Sequence, residues 1–359
     1  MNILELNFEK GWRGGERQTL YSMQGLKQAG ISAHLICRKN SYLERYAKKE
    51  GFTTFSFNSV LGVVFYLITK GKNYNFIHAQ TSHILTYCVL TKPFFDAPIL
   101  FTRRVDFIQK GIFTKLKYRF TDKIIAVSAA IKDILIKFCG RNDIEIISDV
   151  GVRNEPNTTK AKEMIDSLSI GNKHIVATTS ALTGHKDPFT AVNAVKKLLT
   201  KRTDFVFLHF GTGELKEAVL EAIKRNNLQK TYLLVGFVES VENFFPFFEV
   251  FVMTSKEEGL GSSVLDAFLS KVPVVSTNAG GLKELLDQDR GIMCPIEDSD
   301  AIAEGIDFLL QPSKEKEKYI DNAFQYASHF HSMKFITDKY VNLMKTYATT
   351  ASRKHASLA

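Results

Sequence analysis

Two carboxylates, Glu258 and Asp266, bracket a glycine- and serine-rich run, Gly259-Leu260-Gly261-Ser262-Ser263, that leads from a loop into a helix-forming segment. The first turn of a helix presents unpaired backbone N–H groups and the positive end of the peptide dipoles, a ready seat for a phosphate or diphosphate. Ser262 and Ser263 are good N-cap types, and the glycines let a ligand approach the main chain. Carboxylates beside such a seat accept hydrogen bonds from hydroxyls. Residues of these types in this order describe a pocket for a phosphorylated sugar or a ribose.

Other loops repeat the theme. Gly11-Trp12-Arg13-Gly14-Gly15-Glu16-Arg17-Gln18 follows the first strand-like segment and opens a helix. Ligands of open α/β sheets bind beyond the carboxyl ends of strands, where this loop would lie, and its glycines can turn N–H groups toward a phosphate. Phe210-Gly211-Thr212-Gly213-Glu214 and Leu234-Val235-Gly236-Phe237-Val238 also follow strands. In Ser180-Ala181-Leu182-Thr183-Gly184-His185-Lys186-Asp187-Pro188, Asp187 before proline reads as an N-cap, and Lys186 supplies a cation next to it. Asp298-Ser299-Asp300 has the spacing of a metal-binding DxD, but it runs straight into an Ala/Ile/Leu helix, where Asp and Ser read as caps. No metal site is assigned to it.

The ordered set Glu258-Gly259-Leu260-Gly261, Asp266, Lys271-Val272-Pro273-Val274-Val275 and Gly280-Gly281 resembles the nucleotide-sugar signature of the group 1 glycosyltransferases, retaining enzymes with the GT-B fold. The resemblance implies an α/β chain of two Rossmann-like domains facing across a cleft, with a C-terminal helix crossing back to the first. Residues 1–152 plus about 332–350 would form the acceptor domain, and 153–331 the nucleotide-sugar domain. It further implies that Glu258 grips donor-sugar hydroxyls, that Gly259, Leu260, Gly261, Ser262 and Ser263 hold the diphosphate, and that Asp266 holds the ribose. Lys186 would neutralise the leaving diphosphate, which makes Glu258 and Lys186 the catalytic pair. Gly14, Gly15 and Gly211 would face the donor, and Phe237 and Val238 the base. Arg13, Glu16, Arg103, Arg104 and Asp106 are candidates for the acceptor or the diphosphate, and His78 or His83 for the cleft. Asp266 stands where the family usually has Glu, Ala181 where it has Arg, and Arg104 near the place of a usual His. No cofactor or metal is implied beyond the donor itself.

The elements that must position these residues are readable from hydrophobic patterning. Strands are predicted at 2–7, 33–37, 52–57, 75–79, 98–102, 123–127 and 144–147, alternating with helices at 16–29, 41–49, 60–70, 82–91, 112–120 and 129–138. After a linker and short helix over 153–172, strands follow at 173–179, 205–210, 231–235, 249–253 and 272–276. Helices are predicted at 188–200, 214–226, 240–247, 262–270, 281–287 and 299–310, then along the charged C-terminal stretch. Such alternation indicates parallel sheets with helices on their faces.

Composition agrees: 359 residues suggest about two domains, and 45% hydrophobic content is ample for real cores. Cys37, Cys88, Cys139 and Cys294 lie far apart, against a zinc site or disulfide scaffold and in keeping with a reducing cytosol. The N-terminus enters a strand without a secretory leader, and the longest apolar run, Val60 to Ile68, is about half a membrane span, so a soluble chain is expected.

Charge is uneven: residues 1–152 hold 22 Lys and Arg against 12 Asp and Glu, the rest 25 against 26. Much of the excess gathers between Arg103 and Lys123, where Ile112, Phe113, Leu116 and Phe120 form one helical stripe. Such a stripe flanked by basic residues either faces the core, the commoner arrangement, or seats the helix on an anionic membrane surface. No nucleic-acid recognition signature accompanies it. The expected partners are a nucleotide-sugar donor and an anionic glycan or lipid-linked acceptor at the inner membrane face, in lipopolysaccharide, capsule or other surface-glycan synthesis. Two other readings stay open: a hydrolysing sugar-nucleotide epimerase, and a non-catalytic nucleotide-binding scaffold suggested by Ala181 and the missing His.

Overall fold

The computed structural model describes residues 1–107, 111–153 and 155–356. The chain divides into two compact units, Met1–Val150 with Phe330–Ala359, and Gly151–His329.

In the first unit seven strands, β1 (Asn2–Asn7), β2 (Ser32–Arg38), β3 (Thr54–Phe57), β4 (Phe76–Ala79), β5 (Ile99–Arg103), β6 (Lys123–Ala126) and β7 (Glu145–Ile146), form one parallel sheet in the order β3-β2-β1-β4-β5-β6-β7. In the second, β8 (His174–Thr179), β9 (Phe205–Phe210), β10 (Tyr232–Gly236), β11 (Val250–Met253), β12 (Val274–Thr277) and β13 (Ile292–Cys294) pair in the order β10-β9-β8-β11-β12-β13, again all parallel. The strands read as near-continuous apolar runs because helices cover both faces of such sheets. All six residues of β9 and all four of β12 are buried. The second core packs Val176, Phe205, Phe207 and Val275 of the sheet under Val195, Leu198 and Ile306 of the covering helices.

Helix starts follow their capping chemistry. Ser41, Thr81, Ser128, Asp187 and Asp298 each accept a hydrogen bond from a backbone N–H of the turn they open. Asp298 takes the N–H groups of Asp300 and Ala301 at 3.1 and 2.9 Å, so this member of the DxD triplet is spent on a cap.

Three elements differ from the sequence expectation. Val241–Phe247 is a 3₁₀ helix instead of an α-helix; in an α-helix the Pro246 ring would clash with the carbonyl four residues back. The short strand β13 goes unforeseen, since three residues give no period to read. The last helix runs Met333–Ala356, beyond the expected end near 350. It completes the first unit: Ile336, Tyr340 and Met344 are buried, and Tyr340 meets Thr102 of β5 at 3.1 Å.

Candidate functional site

Strand order reverses twice along this chain, between β1 and β4 and between β8 and β11. At such a switch point the loops leaving the strands' carboxyl ends diverge and open a crevice.

At the second reversal, residues 180–187 follow β8 and residues 254–261 follow β11. The two loops are stitched together through the main-chain carbonyls of the first. Thr254 Oγ1 donates to the carbonyls of Lys186 and Asp187 at 3.2 and 2.9 Å, and the N–H of Lys256 donates to His185 O at 2.8 Å. Asp187 takes a left-handed conformation, φ 44°, and caps the next helix, so Lys186 is held at the turn just before it. From there the Lys186 ammonium forms an ion pair with Glu258 Oε2, which also accepts from Ser255 Oγ at 3.3 Å. The side chains of Lys186 and Glu258 are 18% and 13% exposed, sheltered yet within reach of solvent.

Glycines let this edge close up. A Cβ on Gly281 would lie 2.4 Å from Gly259 O, and its N–H donates to Glu258 O at 3.0 Å; the Gly280-Gly281 pair thus braces the acidic loop. Gly261 begins helix Ser262–Leu269 at φ 103°, with Leu282 where a Cβ would go. Behind the β8 loop, Cβ atoms on Gly211 and Gly213 would fall 2.0 and 2.1 Å from the carbonyls of Ser180 and Leu182. Glycine at these two positions is therefore required by loop packing.

The helix starts at Ser262, four residues after Glu258; Gly261 O takes the N–H groups of Val264 and Leu265 at 2.9 and 3.4 Å, and the N–H groups of Ser262 and Ser263 come ahead of the intrahelical bonds. Ser263 Oγ donates to Thr179 O at 3.3 Å, and Thr179 Oγ1 is one of three buried side-chain atoms without a partner among the described residues. Asp266 is buried at 8% exposure one turn into the helix. Phe237, after β10, is half exposed. Deeper in, His209 of β9 bridges Tyr232 OH at 2.7 Å and Ser180 O at 3.1 Å, which fixes the base of the β8 loop. Burial pushes this imidazole down to about 4, so it is neutral.

Around the first reversal the chain's own side chains fill the space. Glu5 of β1 lies opposite His78 of β4, and both are buried. Glu5 accepts from His78 Nδ1 at 3.1 Å, Ser22 Oγ at 3.2 Å and Gln80 Nε2 at 2.6 Å, while His78 Nε2 meets Thr102 Oγ1 at 2.8 Å. Arg104 bridges Gln80 Oε1 at 2.5 Å and Asp149 Oδ1 at 2.9 Å. Arg103, 3% exposed, donates to the carbonyls of Val105 and Phe107 and to Tyr118 OH. His78 is thus a core residue, and His83 is exposed, set edge-on against Tyr87. In the glycine loop, Glu16 is 4% exposed and accepts from the Arg13 N–H at 2.8 Å as the third helical residue of a capping pattern; burial pushes its carboxyl up. Arg13 is exposed and Asp106 half-buried. Trp12 stacks on Tyr46 with ring centroids 4.4 Å apart, a pairing the glycine pattern does not announce.

The structure therefore brings Lys186, Glu258 and the 259–263 turn together, with Asp266 buried behind them, and it draws Glu5, His78, Gln80 and Arg104 into a second constellation. Glu5 was missed by sequence reasoning, although a carboxylate in the middle of an apolar strand is the signal that could have found it.

Comparison with known proteins adds independent findings. Residues 159–326 match the model of "Glycosyl transferases group 1", and residues 12–149 that of "Glycosyltransferase Family 4". The chain is 24% identical over 179 residues to an N-acetylgalactosaminyltransferase of Campylobacter jejuni named for an N-acetylgalactosamine-N,N'-diacetylbacillosaminyl-diphospho-undecaprenol acceptor, covering 49% of this chain and 48% of that one. It is 24% identical over 235 residues to the lipopolysaccharide core biosynthesis glycosyltransferase LpsE of Rhizobium meliloti, covering 64% and 66%. The first curated relatives are matched over only a quarter to a half of their length. Among solved structures, Anabaena HepE in complex with UDP and glucose superposes with a TM-score of 0.84 at 17% identity, over 96% of this chain and 100% of that one, a likeness of fold.

Proposed function

Since the chain belongs to the group 1 glycosyltransferases with the GT-B fold, we propose that it transfers a sugar from a nucleoside diphosphate sugar to a glycan or lipid-linked acceptor in surface-glycan synthesis, with retention at the anomeric carbon. The observation that carries this reading is the Lys186–Glu258 ion pair beside the start of helix Ser262–Leu269, at the switch point of the second sheet. A cation, a hydroxyl-accepting carboxylate and a helix N-terminus are the three groups a diphosphate sugar needs.

In the proposed reaction the donor's sugar hydroxyls hydrogen-bond to Glu258, the backbone of 259–263 holds the diphosphate, and Asp266 takes the ribose. Lys186 turns from Glu258 toward the diphosphate. The bond between the anomeric carbon and the diphosphate oxygen breaks, with negative charge growing on that oxygen, and Lys186 is placed to stabilise it. The acceptor hydroxyl attacks the same face, the new glycosidic bond forms, and its proton passes to the departing diphosphate. Ala181 stands where the family has arginine, and Lys186, next to His185, is the one Lys or Arg of the Ser180–Pro188 loop.

The acceptor is proposed to be anionic, on the ground of the basic excess in the first half of the chain and of the undecaprenol diphosphate in the Campylobacter relative's name. It would be met at the cytoplasmic face of a membrane. Among the described residues no helix is long and apolar enough to cross one.

The test is a thermal-shift screen of nucleoside diphosphate sugars against the wild type and Glu258→Ala. Saturation near 100 times Kd adds about 2.7 kcal/mol of stability. A shift with one donor that Glu258→Ala abolishes is expected. No shift with any donor would defeat the proposal.

A further inference from the structure

The stripe on helix Ile112–Arg119 does not face the core. The side chain that anchors this helix is Tyr118, 1% exposed, whose hydroxyl takes Arg103 NH1 at 3.0 Å. At about 100° per residue, Ile112, Phe113, Leu116 and Phe120 share one arc turned away from Tyr118. They are 69%, 82%, 41% and 62% exposed. Lys115 and Arg119, both exposed, border the arc, and no acid occurs from Gly111 to Thr121. The commoner core-facing arrangement is thus overturned by which residue the sheet holds.

The neighbouring elements extend this face. Right-handed crossovers place the helices after β3, β4 and β5 on one side of the sheet, and Val60–Lys70 packs against Ser82–Leu90, which packs against Ile112–Arg119. On that layer Leu61 is 74% exposed, Phe65 70%, Leu90 67% and Phe94 55%. Monomers in water seldom leave so many large apolar side chains uncovered on one layer.

We propose that this layer docks the protein on an anionic lipid surface. Helix Ile112–Arg119 lies in the interfacial plane, with Ile112, Phe113, Leu116 and Phe120 entering the headgroup–acyl boundary and Lys115 and Arg119 meeting lipid phosphates. The inference rests on the membrane-face reading above and names the element that performs it. Charge selects lipid over a second copy of this chain: a two-fold contact would set the stripe against itself, with Lys115 and Arg119 facing their own copies and no acid on the stripe to neutralise them.

The experiment uses the full chain and flotation with phosphatidylcholine vesicles, with and without phosphatidylglycerol, comparing wild type with Ile112→Glu/Phe113→Glu. Wild type is expected to float with the anionic vesicles and release at high salt, and the variant to bind about tenfold or more weakly. Because both positions are exposed, the variant's unfolding temperature and its stabilisation by nucleoside diphosphate sugars should match wild type. Equal flotation of both proteins overturns the proposal, as does a wild type that ignores anionic vesicles. So does a dimer seen by light scattering that the variant loses. A protein that floats yet shows no shift with any donor would fail the glycosyltransfer reading and leave this one standing.

Discussion

In the first sheet the strands flanking the reversal of order carry Glu5 and His78, buried and bonded to each other at 3.1 Å; in the second, the equivalent strands are apolar at their centres, Val176 and Ala177 beside Val250 and Phe251. The charged groups of the second reversal stand one step further out, on the loops, where Lys186 and Glu258 are sheltered but not sealed. One topology has thus been used in two ways. A buried carboxylate is tolerable only when each oxygen is satisfied, and Glu5 has Ser22, His78 and Gln80 for that purpose. An ion pair at a strand edge costs less to keep and less to break, so its members can exchange each other for a ligand. The first reversal is filled by its own side chains, and under the proposed reading the second is the one left to a donor.

That contrast can be broken by experiment. Glu5→Ala should be the more severe change: it orphans three donors inside the first unit and should cost about 3–5 kcal/mol in urea unfolding. Donor affinity per folded molecule should stay as in wild type, and a large loss of affinity would erase the distinction between the two regions. Lys186→Ala should show the reverse pattern. Its kcat/KM should fall about 10²–10³-fold, measured by release of nucleoside diphosphate, with little change in unfolding midpoint. A smaller effect sharpens the comparison. His209, in the second sheet, meets Tyr232 and Ser180 but no carboxylate, and its folded value near 4 lies below that of a free imidazole. Between about pH 6.5 and 4 the unfolded chain binds this proton and the folded one does not. Stability should therefore fall as pH drops through that window, by at most about 1.4 kcal/mol per unit from this group. His209→Gln should flatten that part of the profile; an unchanged slope would assign the dependence to other groups.

How much of this was legible in the chain follows from what each signal encodes. Strand–helix alternation came through because buried parallel strands are apolar runs closed by glycine or capping residues, as at Phe205–Phe210. The 258–263 turn was legible as a loop entering a helix, because Gly259, Gly261 and Ser262 stand close together in sequence. The Lys186–Glu258 contact was not, since the two lie 72 positions apart and only the switch point brings them together. Nor was the core role of His78, whose partner is 73 positions away. Periodicity drew the apolar arc on 112–120 correctly but said nothing of its direction, which depends on Tyr118 reaching Arg103. Gly211 and Gly213 looked like ligand-facing turns, and tertiary packing against Ser180 and Leu182 accounts for them equally well.

The first unit is interrupted in sequence: its body ends at Val150, and the helix whose Tyr340 meets Thr102 arrives only after Phe330. Chains are made from the amino end at about 5–20 residues per second. The nascent first unit must therefore wait many seconds, its groove for Ile336 and Met344 unfilled, while the whole second unit emerges. The inserted unit can be finished first, and the older one is sealed only when a segment made after it arrives, so the two units cannot complete in the order in which they begin.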